Sequence, residues 1–356
     1  LNSQEAQGVY KNIVIDGCII TGGANAGGLI GSVGYMGLAS NKESRMVTSV
    51  LNYSAAAQAP VKLVDCLYKN SEISAEANAG GFVGKLQRTT FSVDVYAENN
   101  HDARRASGDS INLMGVNSTV RGTSVWAGNG EACTVGGLLG LTAAQVKVGE
   151  ATHAENPVTL NDVTVTTDAA VGNSFANTRG LGGVIGRAES DISIKHVSYE
   201  STKAAAAESP TYLGSIKSLE QTAVQYKYVG GMVGCGAQGS MTFDDCSVLK
   251  VRVAACEYSG GIAGLITNNY AFAANNIRVK GIQIDGAYSG GVLGQAGGTG
   301  NTVVLSNSSV ADSVFKTKGC SWSNHPDGAH TYSGGIIGDT KGTIRLSNIL
   351  VGKYDF

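Results

Sequence analysis

Tyr258-Ser259-Gly260-Gly261-Ile262-Ala263-Gly264 is one copy of a pattern that recurs along almost the whole chain. Written by its glycines, the pattern is Gly-Gly-h-h-Gly, where h is an apolar residue or Ala. The other copies begin at the pairs Gly27 and Gly28, Gly80 and Gly81, Gly136 and Gly137, Gly182 and Gly183, Gly230 and Gly231, Gly290 and Gly291, and Gly334 and Gly335. Successive copies are 30 to 56 residues apart, so the shortest unit has 30 residues. A unit of that size cannot bury its own apolar face and must stack on its neighbours.

The shortest unit has the pattern of several short β-strands. Val251-Arg252-Val253 and Ile282-Gln283-Ile284 alternate apolar and polar residues, which is the period of a strand with one buried face. We expect three strands per unit: one ending near Val248, one around Val251 to Val253, and one through the Gly-Gly-h-h-Gly. Glycine in that third strand permits either a positive φ or a backbone approach too close for a Cβ. Coils stacked at about 4.8 Å per layer then give an all-β, parallel β-helix of about eight coils.

The Gly-Gly-h-h-Gly copies resemble the GLUG repeat, which is named for its Gly-Leu-aliphatic-Gly core and occurs in bacterial surface proteins. Those proteins include filamentous-haemagglutinin-like adhesins and the amino-terminal part of streptococcal immunoglobulin A1 proteases. The resemblance covers roughly residues 10 to 350 and implies a β-solenoid that is secreted or lies on the cell surface. It implies no enzymatic activity, because the repeat is a scaffold found beside many different functional domains. A right-handed coil is expected, since parallel crossover connections almost always have that hand.

Composition and charge restrict the kind of protein and the kind of partner. The 356 residues include 50 Gly and only 4 Pro, 42% are apolar, and the formal net charge is −2. One solenoid spanning residues 1–356 is expected, because repeats that contact only their neighbours can extend a single domain. A near-neutral chain lacks the basic face that nucleic acids require. The sequence also has no run of 18 apolar residues, so direct insertion into a membrane is not expected.

Repeat strands come close to both ends of the sequence. Asn12-Ile13-Val14-Ile15-Asp16 starts almost at once, and Ile344-Arg345-Leu346-Ser347-Asn348 opens a coil that does not reach its glycines. The first residues have neither the basic start nor the apolar core of a signal peptide. We therefore expect both ends to be internal to a longer protein or to be products of processing.

The residue two positions before each Gly-Gly changes character along the chain. It is polar or Gly in the first half and Tyr in the second: Asn25, Asn78, Thr134 and Gly180, then Tyr228, Tyr258, Tyr288 and Tyr332. Four tyrosines one layer apart would stack at the spacing between strands. They either stabilise one corner of the solenoid or form an exposed aromatic strip that binds sugar rings or a partner protein. Trp322, in the insertion before the last of them, is a further candidate ligand-binding residue.

Asn, Asp and Ser recur at the end of the first strand, in segments 63–66, 160–163, 192–196, 275–277 and 305–308. These residue types form hydrogen bonds readily at turns, so we expect a structural polar ladder. A calcium or carbohydrate ladder is the alternative, although Asp is not repeated consistently enough to chelate calcium. Cys66 and Cys246 occupy this region and are expected to be small, semi-buried ladder residues; disulfides or metal ligands are the alternative.

The longer steps between copies contain insertions, which we expect at two corners of the coil. Two follow the glycines directly, at 32–61 and 141–158, and three follow the next strand, at 99–133, 201–226 and 311–329. Loops that project from a rigid solenoid often carry the binding function. The last insertion holds His325, Asp327 and His330, which could meet a metal ion but match no familiar ligand spacing. A plain surface loop is the other interpretation, and no metal or cofactor is expected.

The common catalytic motifs are not found in the sequence. It contains no His-Glu-x-x-His, no Gly-x-Ser-x-Gly and no phosphate-binding Gly-x-x-x-x-Gly-Lys-Ser/Thr. A polysaccharide-processing β-helix would need clustered carboxylates on one face, and only Asp191 and Asp244-Asp245 fall on successive first strands. We therefore expect a non-catalytic, adhesin-like scaffold whose partner is a surface protein or glycan of a host or neighbouring cell. The alternatives are the solenoid part of a larger surface enzyme, such as a protease, and a carbohydrate-binding or polysaccharide-processing β-helix.

Overall fold

A computed structural model of the chain describes residues 8–33, 61–87, 90–95, 108–110, 112–123, 133–152, 156–167, 180–202, 215–218, 228–255, 257–316 and 331–353. These residues form 37 β-strands, paired in parallel from one coil to the next. The chain is thus an all-β, parallel β-solenoid, as the repeat pattern predicts, while the right hand of its coil stays a prediction. Within the described ranges no helix is long and apolar enough to cross a membrane.

Each coil passes through five positions, which we name A1, A2, B, C and D in chain order. The first coil consists of β1 (Gly8–Lys11), β2 (Val14–Asp16), β3 (Ile19–Gly22), β4 (Asn25–Gly27) and β5 (Ile30–Val33), and the second of β6 (Val61–Val64), β7 (Leu67–Lys69), β8 (Glu72–Ala75), β9 (Asn78–Gly80) and β10 (Val83–Leu86). The third coil consists of β11 (Phe91–Asp94), β12 (Leu113–Val116), β13 (Thr119–Gly122), β14 (Thr134–Gly136) and β15 (Leu139–Thr142). The fourth consists of β16 (Val146–Val148), β17 (Val158–Asn161), β18 (Thr164–Thr167), β19 (Gly180–Gly182) and β20 (Ile185–Ala188).

From the fifth coil onward one long strand covers both A1 and A2. These coils consist of β21 (Ile192–Glu200), β22 (Ser215–Ser218), β23 (Tyr228–Gly230) and β24 (Val233–Gly236); β25 (Ser240–Leu249), β26 (Arg252–Ala254), β27 (Tyr258–Gly260) and β28 (Ala263–Ile266); β29 (Ala271–Lys280), β30 (Gln283–Asp285), β31 (Tyr288–Gly290) and β32 (Leu293–Ala296); β33 (Thr302–Ala311), β34 (Val314–Lys316), β35 (Tyr332–Gly334) and β36 (Ile337–Thr340). β37 (Thr343–Gly352) pairs with β33 and is the A strand of a ninth coil, as expected.

Equivalent strands of successive coils pair in register to form four sheets. The described strands give eight-stranded sheets at B, C and D, and a 13-stranded sheet in which β21 joins the separate A1 and A2 strands of the earlier coils. In the pair of β25 and β29, for example, Met241 lies opposite Phe272 and Val248 lies opposite Val279. Inward side chains therefore stack on their counterparts in the next layer. One apolar cluster results, whose members run from Ile15 to Val310.

The expectation of three strands per coil is wrong, because the Gly-Gly-h-h-Gly is a corner between two strands. In the sixth coil, strand C (β27) ends at the first glycine, Gly260, and strand D (β28) begins at the second h residue, Ala263. The first h residue, Ile262, lies in the bend and is completely buried. The chain turns at this point because that side chain enters the core.

Glycine is required at this corner by a close backbone approach. A Cβ on Gly261 would lie 2.0 Å from the carbonyl oxygen of Gly291 in the next coil, and a Cβ on Gly260 would lie 1.9 Å from the carbonyl oxygen of Ala263. Real Cβ atoms essentially never come within 3.0 Å of such atoms. Of the two reasons considered from the sequence, positive φ does not apply, since neither Gly260 nor Gly261 has one. Any side chain at the second glycine would therefore push two coils apart.

Positive φ recurs instead at two other corners, and also occurs at Gly239 and Asn269 between D and A1 and at Gly149 after β16. Between A1 and A2 the residues are Asn12, Asp65, His196, Asp245, Asn276, Asn307 and Asn348; between A2 and B they are Gly17, Asn70, Asn117, Asp162, Lys250, Gly281 and Asp312. Asn and Asp tolerate this left-handed conformation better than most side chains. Segments 63–66 and 160–163, which the sequence placed at one equivalent position, therefore lie at different corners.

The predicted polar ladder is confirmed as a series of hydrogen bonds between layers. At the A1–A2 corner, Asn276 Nδ2 donates to Asp245 Oδ1 at 2.8 Å. Two layers further on, Asn348 Nδ2 donates to Asn307 Oδ1, also at 2.8 Å. Cys66 and Cys246 each follow a residue of this corner and, at 0% and 2% exposed, are more fully buried than the semi-buried position expected from the sequence. These polar and small side chains fix the corner where strand A bends.

The insertions leave the coil at four positions, so the expectation of two corners is wrong. They lie between D and A1 (34–60), between A1 and A2 (95–112 and 149–157), between A2 and B (201–214), and between B and C (123–133, 168–179, 219–227 and 317–331). Short strands such as β12, β16 and β22 lie within segments that the sequence assigned to insertions. Each of these strands has only three or four residues and is defined by its pairing with strands of neighbouring coils. That pairing is not visible in the local sequence pattern.

Candidate functional site

The four tyrosines are the first residues of the last four described C strands and form a continuous ladder. Ring centroids are 5.4 Å apart for Tyr228 and Tyr258, 4.8 Å for Tyr258 and Tyr288, and 5.4 Å for Tyr288 and Tyr332. The rings of each pair are inclined by only 25°, 27° and 26°, respectively. The predicted stacking is confirmed, and each such pair contributes roughly 0.5–1.5 kcal/mol beyond its area burial.

Burial changes along this ladder from one end to the other. Tyr228 is 8% exposed and packs against Cys235 and Leu265, whereas Tyr332 is 45% exposed. Burial is the main cause that raises the pKa of Tyr228, and burial together with the neighbouring Glu257 carboxylate raises the pKa of Tyr258. Both hydroxyl groups are therefore neutral at physiological pH. The ladder begins as part of an apolar cluster and ends at the surface.

Ring faces decide what the ladder can bind. A sugar ring binds an aromatic side chain by lying on its face, but the faces of Tyr258 and Tyr288 are covered on both sides by neighbouring tyrosines. Tyr228 is almost completely buried, whereas Tyr332 is the most exposed of the four tyrosines.

In the first three coils the same position carries a ladder of polar side chains. Asn78 Nδ2 donates to Asn25 Oδ1 at 2.7 Å, and Thr134 Oγ1 donates to Asn78 Oδ1 at 2.5 Å. Both ladders join successive C strands at the same corner. Side chains at this position thus link layers by hydrogen bonds in the first three coils and by ring stacking in the last four described C strands, with Gly180 between the two ladders.

Strand D supplies polar neighbours at the exposed end of the tyrosine ladder. Gln295 Nε2 donates to Asp339 Oδ2 at 2.7 Å across two adjacent D strands. Burial, followed by the charge of Asp339, raises the pKa of Tyr288, which places this carboxylate near the ladder. The sequence did not single out Gln295 or Asp339. Both are the third residue of a D strand, and this shared position in the repeat is the sequence feature that could have identified them.

The carboxylates considered for a polysaccharide-processing site are engaged in contacts between layers. Asp244 lies opposite Lys195 in the paired strand, while Asp191 Oδ1 accepts hydrogen bonds from the backbone N and Oγ of Ser240. Asp245 accepts a hydrogen bond from Asn276. The register thus separates Asp191 from Asp244 along the strands, so they do not form the paired carboxylates of a glycoside hydrolase.

Several residues proposed from the sequence lie outside the described residues. These are Trp322, His325, Asp327 and His330, all in the insertion between β34 and β35. Among the residues that are described, no three His, Cys, Asp or Glu side chains come together in a way that could hold a metal ion.

Comparison of the chain with protein families, with curated proteins and with solved structures finds no match. The resemblance to the GLUG repeat therefore rests on the eight Gly-Gly-h-h-Gly copies alone, and the family stays a prediction.

Proposed function

We propose that this chain is a non-catalytic, adhesin-like scaffold that acts outside the cell or on its surface and displays its insertions to a partner protein or glycan. The observation that carries the proposal is the unbroken register of the C strands across long insertions. β14, β19 and β23 pair residue by residue, although segments 123–133, 168–179 and 219–227 precede them. The second coil makes the same connection with two residues, Glu76 and Ala77.

Three successive layers therefore carry extra chain at one corner without disturbing the coil. Because neighbouring layers are about 4.8 Å apart, the bases of these three insertions are adjacent. A rigid scaffold with adjacent loops is the arrangement by which many repeat proteins bind their partners. We therefore assign partner binding to the B–C corner of the third to fifth coils.

Charged pairs between layers favour a structural wall over a catalytic groove. Arg252 Nε and Nη2 both lie within hydrogen-bond distance of Asp285 Oδ2, at 3.0 and 2.6 Å, and Lys195 Nζ donates to Glu150 Oε2 at 2.8 Å. Such pairs between layers neutralise side chains that an enzyme would keep available for substrate. The solenoid of a larger surface protein, including a surface enzyme, would use the same wall.

A loop replacement tests the binding role. Replacing residues 168–179 by Glu-Ala joins Thr167 to Gly180 with the connection that the second coil uses. We expect an unchanged circular dichroism spectrum and melting temperature, and reduced binding of the labelled protein to intact bacteria and cultured epithelial cells. A Gly-Ser segment of the original length serves as the matched control and should lose binding equally. Unchanged binding in both variants would remove this insertion from the proposed interface.

The proposed location has its own test. An epitope tag inserted within residues 168–179 should be labelled by antibody on intact cells that produce the protein. Labelling that appears only after permeabilisation would contradict a surface role.

Glycan binding at Tyr332 is a second candidate, favoured by the 45% exposure of this residue at the end of the described tyrosine ladder. Tyr332→Ala should abolish binding on a glycan array, whereas Tyr332→Phe should retain it. If both variants bind as the wild type does, the ladder has no part in glycan recognition.

A further inference from the structure

Tyr258 and Tyr288 are the closest pair within the tyrosine ladder. Their ring centroids are 4.8 Å apart and their ring planes are inclined by 27°, so the two rings are in contact. Both side chains are only partly buried. Two phenol rings that touch each other and also reach the surface are the reactants of one particular oxidation, the formation of dityrosine.

The backbone holds this pair in a fixed register. β27 and β31 pair in parallel, with Tyr258 directly opposite Tyr288 and Ser259 directly opposite Ser289. The hydroxyl groups of the two serines are completely buried and lie 3.2 Å apart, which joins the same strands one residue further on. Two radicals formed on these tyrosines cannot diffuse apart. Their coupling therefore has the high effective concentration of an intramolecular reaction.

A carboxylate beside the pair is placed to accept the proton that oxidation of a phenol releases. Burial, followed by the charge of Glu257, raises the pKa of Tyr258, and a hydrogen bond between these two side chains adds to the shift. Burial, followed by the charge of Asp339, raises the pKa of Tyr288. Both phenols are protonated at physiological pH, so the loss of an electron has to be accompanied by the loss of a proton. Glu257 supplies the base for this step at Tyr258.

Two other tyrosines of the solenoid are protected from oxidants in solution. Tyr68 and Tyr199 are completely buried, and their hydroxyl groups donate to the backbone carbonyls of Gly137 and Val163. Neither ring is accessible at the surface of the folded protein. Oxidation of the native chain should therefore favour the partly exposed tyrosine ladder over these core positions.

We propose that Tyr258 and Tyr288 are a site of oxidative cross-linking, at which a haem peroxidase and hydrogen peroxide join the two rings as dityrosine. Each phenol first loses one electron and its hydroxyl proton, which gives two neutral tyrosyl radicals. A carbon–carbon bond then forms between the ring carbons next to the two hydroxyl groups. The hydrogens of these carbons leave as protons, and the two oxygens are protonated again. Overall the pair loses two electrons and two protons, and one molecule of hydrogen peroxide takes them up to form two molecules of water.

The product ties the sixth coil covalently to the seventh. Such a bond closes the loop of chain between positions 258 and 288 and restricts the unfolded chain, as other covalent cross-links do. The inference does not rest on the proposed binding role of the insertions, because both tyrosines belong to strand C.

Peptide mapping of the oxidised protein tests the proposal. The whole protein in dilute solution is treated with hydrogen peroxide and a haem peroxidase. We expect dityrosine fluorescence, a monomer whose mass has fallen by that of two hydrogen atoms, and, after proteolysis, a linked pair of peptides that contain Tyr258 and Tyr288. The absence of dityrosine, links confined to other tyrosines, or links only between separate molecules would overturn the proposal.

Two double variants separate this site from random oxidation. Tyr258→Phe with Tyr288→Phe keeps both rings but leaves no two adjacent phenols in the ladder, so the yield of intramolecular dityrosine should fall at least about tenfold. Tyr10→Phe with Tyr270→Phe removes the same number of phenols outside the ladder and should leave the yield unchanged. Circular dichroism spectra check that both variants are folded. Equal yields from the two double variants would contradict cross-linking within the ladder.

Discussion

The hydroxyl group of Tyr68 donates a hydrogen bond of 2.5 Å to the carbonyl oxygen of Gly137. Tyr68 lies in strand β7 of the second coil, and Gly137 is the second glycine of the corner in the third coil. The ring reaches across the core over Gly115, where a Cβ would lie 2.6 Å from the tyrosine ring. One side chain thus links the A sheet of one layer to the glycine corner of the next.

Removing this hydroxyl group should destabilise the solenoid. Tyr68→Phe leaves the buried carbonyl of Gly137 without that donor, and we expect a loss of about 1–3 kcal/mol in the free energy of unfolding. Denaturant titration followed by circular dichroism measures the change. Tyr10→Phe, at a partly buried position of the first coil, is the control and should change stability by less than about 0.5 kcal/mol. Equal effects of the two variants would mean that the bond to Gly137 contributes nothing.

Buried tyrosines should make the fold sensitive to alkaline pH. Burial raises the pKa of Tyr68, Tyr199 and Tyr270 above the value of about 10 for an exposed tyrosine. Below that value these groups are protonated in both the folded and unfolded states, so they add no pH dependence. Above it the unfolded chain loses these protons more readily, and stability should fall as pH rises. Unfolding midpoints measured across this range should decline less steeply in Tyr68→Phe; an identical decline would contradict the assignment.

Alanine at a glycine corner should be far more damaging than alanine at an open glycine. Gly261→Ala places a methyl carbon 2.0 Å from the carbonyl oxygen of Gly291, so the two coils must separate locally. We expect a loss of about 3 kcal/mol or more. Gly23→Ala is the matched control, because a Cβ there meets nothing within 4 Å. Melting temperatures of the two variants provide the comparison, and a small shift for Gly261→Ala would disprove the close approach.

The tyrosine ladder should act as a coupled unit. Tyr258→Ala and Tyr288→Ala each remove one ring from a pair whose centroids are 4.8 Å apart. A double-mutant cycle should give a coupling energy of about 0.5–1.5 kcal/mol between the two sites. Strictly additive losses would indicate that the rings are neighbours without mutual stabilisation. Tyr258→Phe should retain the coupling, since the stack depends on the rings.

Thiol reactivity tests the burial of the cysteines. Cys66, Cys133, Cys235 and Cys246 are buried, whereas Cys18 is partly exposed. Burial raises the pKa of Cys235 to about 12 and that of Cys246 to about 12, which suppresses the reactive thiolate. In a variant with Cys256→Ser and Cys320→Ser, Cys18 should react first with Ellman's reagent, and Cys235 and Cys246 only on unfolding. Rapid reaction of Cys235 and Cys246 in the native protein would contradict this packing.

The sequence predicted those features that repeat at a fixed local spacing. Each Gly-Gly corner is visible because a close backbone approach excludes every other residue, and the tyrosines are visible because they stand two residues before it. The polar ladder was likewise predicted, since Asn and Asp favour the bend within strand A. The parallel stack of coils was also predicted, because the Gly-Gly corners recur along the chain.

Short strands without glycine could not be predicted in this way. β12, β16 and β22 have three or four residues, and only pairing with neighbouring coils defines them. Asp65 and Asp162 each stand two residues after a leucine near the end of a short strand, yet they lie at different corners of the coil. The predictions of the number of strands per coil and of the positions of the insertions rested on local sequence pattern and were therefore wrong.

The amino-acid sequence by itself determined that this protein is a stack of parallel coils with a glycine corner and a tyrosine ladder, because these properties depend on residue type at a repeating position. Only the tertiary structure decided which tyrosine faces are covered and which carboxylates are engaged. Those properties depend on contacts between residues of different coils, thirty or more positions apart in the chain, and so on the register with which one layer meets the next.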